Sequence, residues 1–143
     1  MGCRIFAHGM GSSPVDPQLL GLYERYNVAF DEGKPDEFAT LFTVDGRFDA
    51  PGLLVEGTAA LRAHAQAASE RPTRTRHFLK DVSLSVDHGH ATGHAEVVAL
   101  ANNDQKVRLL AVGRSTDEFV RTDGWRWPFS SRVFRISKPA NLA

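Results

Sequence analysis

The sequence predicts an α+β domain in which three N-terminal helices pack on a sheet built mainly by the C-terminal half. Three observations carry this: helix-period apolar spacing confined to the segment before Pro72, long extended runs after it, and turn residues at each boundary between those runs. Helices grouped first and strands last argue for α+β rather than alternating α/β units. The short turns imply an antiparallel meander, because parallel neighbours need crossovers of about a dozen residues or more.

The first helix is expected over 17–32. Pro17 suits a helix start, Leu19, Leu20, Tyr23, Tyr26 and Phe30 recur at three- and four-residue spacing, and Gly33 ends the pattern. Pro35 opens a second, short helix through Phe42, with Asp36 and Glu37 in the first turn opposing the helix dipole. After the Asp45-Gly46 turn signal, 47–55 reads as a short irregular strand broken at Pro51-Gly52. Thr58 is the expected cap of a third helix, whose Ala-rich run 59–69 has high helix propensity until Pro72 forbids continuation.

Four extended runs follow, at 76–86, 91–101, 107–121 and 125–136, separated by Asp87-His88-Gly89, Asn102-Asn103-Asp104 and Thr122-Asp123-Gly124. In the first run Val82, Leu84 and Val86 share a face, and a regular pleat sends His77 and Leu79 to the other. A bulge between His77 and Val82 returns His77 to the core side.

At 143 residues with 42% hydrophobic content, the chain fits one domain. The expected organisation is an N-terminal tail at 1–13, the domain at 14–137 and a C-terminal tail at 138–143. Seventeen basic and seventeen acidic side chains cancel, without long runs of one sign, so neither nucleic acid nor an anionic membrane is an expected partner. Cys3 is the only thiol, so no internal disulfide forms. Neither a membrane-spanning run nor a signal-peptide core is evident, and the expected location is cytoplasmic.

Three segments resemble the SnoaL-like, nuclear-transport-factor-2-like superfamily: Tyr26-Asn-Val-Ala-Phe-Asp31, Arg74-Thr-Arg-His77-Phe, and Gly113-Arg-Ser-Thr-Asp117 leading to Asp123-Gly-Trp125-Arg126. The resemblance is nearest to the scytalone dehydratase and hexachlorocyclohexane dehydrochlorinase branch. It implies a cone-shaped α+β barrel around one pocket, with the helices packed on a curved antiparallel sheet. Asp31 and His77 match the branch's helix-end Asp and strand-start His, and become the candidate catalytic pair. Tyr26, Phe30 and Arg132 become candidate pocket-lining residues. The chain departs from scytalone dehydratase where Ala50 stands for a pocket tyrosine and Val112 or Gly113 for a second histidine, which argues against scytalone itself as substrate.

A His beside an Asp suits proton abstraction, since the imidazole accepts a proton near neutral pH while the carboxylate fixes its tautomer and stabilises the imidazolium. The competing reading leaves Asp31 as a helix end and His77 as a core residue. Two further alternatives are a non-catalytic ligand-binding or oligomerisation module, and an isomerase using Asp31 alone as base. His88, His90 and His94 lack partner ligands at diagnostic spacing and lie at a turn, so solvated positions are expected rather than a metal site. Trp125, Trp127, Phe129 and Phe134 are expected in the core or an interface. No Gly-rich phosphate loop follows a strand, and no cofactor is expected. The expected function is a cofactor-independent, dehydratase-like lyase or isomerase acting on a small, largely apolar cyclic or polyketide-like molecule. The broad outer sheet face points to a homo-oligomer, a dimer or a trimer.

Overall fold

The computed structural model describes residues 7–9, 17–103, 106–123 and 126–138. In chain order these form β1 (Ala7–Gly9), α1 (Pro17–Asp31), α2 (Pro35–Thr40), β2 (Phe42–Ala50), β3 (Leu53–Glu56), α3 (Thr58–Ser69), β4 (Arg74–Asp87), β5 (His90–Asn103), β6 (Lys106–Val120) and β7 (Phe129–Lys138). The strands make one curved, unclosed sheet in the order β1-β4-β5-β6-β7-β2-β3, and the helices pack on it. The segment expected as an N-terminal tail thus holds a three-residue strand, and β7 runs to Lys138. The rest of both expected tails, Cys3 and Trp125 lie outside the described residues.

The β4–β7 meander is antiparallel throughout. The whole sheet is mixed rather than antiparallel: β1 runs parallel to β4, and β2 runs parallel to β7. The physical reason lies in the connection. Between β2 and β7 the chain makes α3 and three long strands, which is ample crossover for a parallel pairing.

α1 buries Leu19, Leu22, Tyr23, Tyr26, Asn27 and Ala29, a face at helical spacing. Gly33 at φ +70 reverses the chain after α1, and the Lys34 amide bonds back to the Ala29 carbonyl at 2.8 Å, satisfying an orphan group of the last turn. α2 stops at Thr40, earlier than expected, because Phe42 already enters β2. The irregular strand expected at 47–55 is a hairpin of β2 and β3 turning at Pro51-Gly52. Thr58 does not cap α3. It is the first helical residue, and Gly57 at φ +88 turns the chain into the helix instead. β7 begins at Phe129 rather than near Trp125, since Pro128 has no amide to give the ladder.

Leu19, Tyr23, Phe38, Leu61, Phe119 and Phe129 are sealed between helices and sheet. Phe129 packs with Tyr23, Tyr26, Phe42 and Phe119 at centroid distances of 4.8–5.7 Å, and Trp127 is buried beside them. The β4 bulge is present: the register steps from Lys80↔Glu96 to Ser83↔His94, with Asp81 in the left-handed region at φ 53. It places His77, Leu79, Val82 and Leu84 on one face, so the strand start looks inward. Among the described residues no helix is long and apolar enough to cross a membrane.

Candidate functional site

Asp31 is the last residue of α1, and His77 follows the start of β4, the strand against which α1 packs. The Asp31 Oδ1 atom lies 2.6 Å from His77 Nδ1, and Asp31 Oδ2 accepts the His77 backbone amide at 2.8 Å. One carboxylate therefore holds both the main chain and the ring. Thr75 Oγ1 adds a longer contact of 3.4 Å to Oδ1. A carboxylate only accepts, so Nδ1 carries the hydrogen and the ring's basic lone pair sits on Nε2. The side chains are 9% exposed for Asp31 and 23% for His77, so the pair is shielded yet reachable.

His77 lines a cavity of about 110 Å³ together with Tyr26, Phe30, Phe48, His64 and Arg132. Val97, Ala99, Ala111 and Phe134 complete mostly apolar walls. Phe30 meets the His77 ring edge-on at 5.6 Å. On its other side His77 borders a groove of about 820 Å³, shared with Asp31, Arg74 and Arg76. Asn27 and His77 belong to both spaces, so the dyad stands between an internal void and an open approach.

Arg132 reaches the cavity from β7, its guanidinium 4.2 Å over the Tyr26 ring. Its Nε lies 3.1 Å from Asp117 Oδ1, and its Nη2 lies 3.4 Å from Ser115 Oγ. Ser115 and Tyr23 donate hydrogen bonds to Asp117 Oδ2. Gly93 stands opposite Asp117 in the ladder, and a Cβ there would lie 2.4 Å from the Tyr23 hydroxyl, so the glycine gives Tyr23 its way to the carboxylate. Burial is the largest single influence and opposes the charge on Arg132, but the Asp117 carboxylate together with the neighbouring Tyr26 and Tyr23 phenol groups and the Asp117 hydrogen bond outweighs it and holds the guanidinium charged. Burial first, then the Asp117 charge, lifts the Tyr23 phenol well above its ordinary range, and burial pushes Tyr26 up to about 12. Both phenols therefore stay neutral donors. Arg132 Nη1, on the guanidinium edge away from Asp117, has no hydrogen-bond partner among the described residues.

The structure thus brings His77, Tyr26, Phe30 and Arg132 around one cavity, while Asp31 holds His77 from the groove side and does not line that cavity. The histidines of the turn are elsewhere: His88 is exposed, left-handed at φ 57 and paired with Asp87, and His90 and His94 face solvent from β5. Among the described residues no group of three or more His, Cys, Asp or Glu is placed to hold a metal. Sequence reasoning passed over Asp117, Ser115 and His64. Ser115 and Asp117 lie on the same strand face as the core residue Phe119, and His64 lies at i+3 from buried Leu61, so strand and helix periodicity both held a signal.

A family model described as a SnoaL-like domain matches residues 18–133. Among solved structures the chain is similar to Rv3472, a protein of unknown function from Mycobacterium tuberculosis, with 28% identity and a TM-score of 0.80 over 89% of this chain and 76% of that one. It is similar to ActVI-ORFA from Streptomyces coelicolor at 19% identity and a TM-score of 0.76, covering 85% and 96%. A Catenulispora acidiphila protein in complex with S-DNPA matches at 24% identity and a TM-score of 0.77, covering 84% and 91%. No curated protein matches the sequence significantly.

Proposed function

Because the chain belongs to the SnoaL-like domain family, which includes polyketide cyclases and dehydratases, we propose that it is a cofactor-independent lyase or isomerase of the dehydratase type. The substrate is a small, largely apolar cyclic or polyketide-like molecule. The observation that carries this reading is the 2.6 Å contact between Asp31 and His77 at the wall of a mostly apolar cavity. His77 Nε2 takes a proton from a carbon beside an activating carbonyl, the C–H electron pair becomes the new double bond, and a hydroxyl two carbons from the carbonyl departs. The imidazolium returns its proton to that hydroxyl, so water leaves and the base is restored. Asp31 holds the tautomer and stabilises the transient positive ring. Tyr26, Phe30 and Arg132 shape the wall. The likeness to the scytalone dehydratase and hexachlorocyclohexane dehydrochlorinase branch rests on this Asp and His pair.

A panel of β-hydroxy ring ketones supplies the test. His77→Ala is expected to remove turnover, and Asp31→Asn to lower it by about 10²–10⁴-fold with the fold intact. Full turnover by His77→Ala sinks the base assignment, and leaves Asp31 as the base if Asp31→Asn is inactive. The wall's apolar character favours the second reading, a non-catalytic small-ligand binder. That reading leads if a panel compound raises the melting temperature but is never turned over.

We infer also that the protein is a homo-oligomer, a dimer or trimer, because Val107 on β6 and Ile136 on β7 leave large apolar side chains 66% and 50% exposed. Light scattering at micromolar concentration is expected to exceed the monomer mass of 15.7 kDa. A monomer throughout overturns the inference.

A further inference from the structure

His64 is a second imidazole at the cavity wall, brought from α3 rather than from the sheet. Its ring stacks on Phe48 at 5.6 Å and 28°, and lies 5.4 Å from Phe30 at 33°. Phe30 also meets His77, so one phenyl ring stands between the two imidazoles. Aromatic contacts of this kind fix the plane of the His64 ring and leave its polar atoms at the edge. No side chain or backbone group among the described residues forms a hydrogen bond with either ring nitrogen. A polar ring seated among three phenylalanines loses hydration that a phenylalanine in its place would not. Burial, and then the charge of Arg71, lowers its pKa, so at neutral pH it offers one N–H donor and one lone pair.

We propose that His64 contacts the ligand directly, exchanging a hydrogen bond with an oxygen carried on the ring that fills the cavity, so that the site selects an oxygenated ring over a hydrocarbon ring of the same shape. The inference rests on the reading of this cavity as the ligand site. It assigns the chemistry at the side of the void formed by α3 and β2, where His64 stacks on Phe48, the ladder partner of Arg132. A neutral imidazole suits the task because it can polarise a carbonyl or bond a hydroxyl without bringing a buried charge. The void is close in size to a cavity known to take one benzene ring, about 150 Å³.

Binding of phenol, 2-cyclohexenone and toluene to the full chain, followed through histidine ring signals in NMR, tests this. In the unsubstituted protein phenol and cyclohexenone are expected to bind more tightly than toluene and to shift the His64 signals. His64→Phe keeps the stacking surface and is expected to lower the preference for the oxygenated rings about fivefold, the size of one net neutral hydrogen bond, with toluene binding unchanged. His64→Gln, which retains a donor, is expected to keep part of the preference. If the preference survives in His64→Phe while toluene still binds, the assignment of His64 fails and the cavity reading stands. If none of the three rings binds the unsubstituted protein, the cavity reading fails and the assignment with it.

Discussion

Two acid–base pairs lie on the inner side of the same sheet, and they differ in what surrounds them. Asp117 and Arg132 are 0% and 3% exposed, and the carboxylate is held by Tyr23 and Ser115 as well. Asp31 and His77 are also within hydrogen-bond distance, 2.6 Å against 3.1 Å in the other pair, but His77 keeps 23% of its side chain exposed and borders both a cavity and a groove. Contact distance therefore does not distinguish the two pairs. Access does. In the sealed pair the charges cannot change without an unpaired ion in the core. In the open pair a proton can arrive, and the carboxylate is placed to answer the charge it brings.

The sharpest break of this comparison is Asp117→Ala. Removing one partner strands the buried Arg132 charge, and the expected loss is about 3–5 kcal/mol in urea unfolding. Replacing both partners, Asp117→Leu with Arg132→Met, is expected to recover most of it, since no buried ion is then left alone. A double variant no better than Asp117→Ala would show that the loss came from packing rather than charge. Asp31→Asn sharpens the contrast from the other side. Its pair is partly solvated and the amide oxygen can still accept a hydrogen bond, so the expected cost is about 1 kcal/mol or less even where turnover collapses. A loss as large as that of Asp117→Ala would make the two pairs alike and end the distinction.

How far the sequence foretold these regions follows from what each signal depends on. The helices and the β4–β7 meander were legible because they rest on local periodicity and turn residues, and the bulge near Asp81 because His77 and Val82 stood out of phase. The parallel pairing of β2 with β7 was not legible, since it joins strands far apart in sequence with no local pattern. Asp31 and His77 were singled out through family resemblance, and nothing in their own neighbours requires the contact. Asp117 was quoted within that resemblance without a role, because a strand carboxylate is ordinarily read as exposed. His64 was hidden by its setting, an Ala-rich helix whose composition explains itself without it. Its meaning appears only when Phe30, Phe48 and His77 arrive from other elements.

His64 also carries the smallest prediction, because its ring is only partly buried. Burial and the nearby Arg71 charge lower its pKa in the folded protein, while in the unfolded chain it returns to about 6.5. Between those two values the unfolded chain binds more protons than the folded one, so stability rises with pH across that window. Read in the other direction, the contribution is whole above about pH 6.5 and is lost as pH falls toward the folded value. The other ionisable groups are common to the parent and a His64→Phe variant, so what they contribute cancels in the difference between the two. Urea unfolding at pH 8 and pH 5 is therefore expected to show the parent losing more stability on acidification than His64→Phe. Parallel pH profiles would mean that His64 takes its proton as easily in the folded protein as in the unfolded chain. In that case the ring is solvated, and its place at the cavity wall gives it no hold on a ligand.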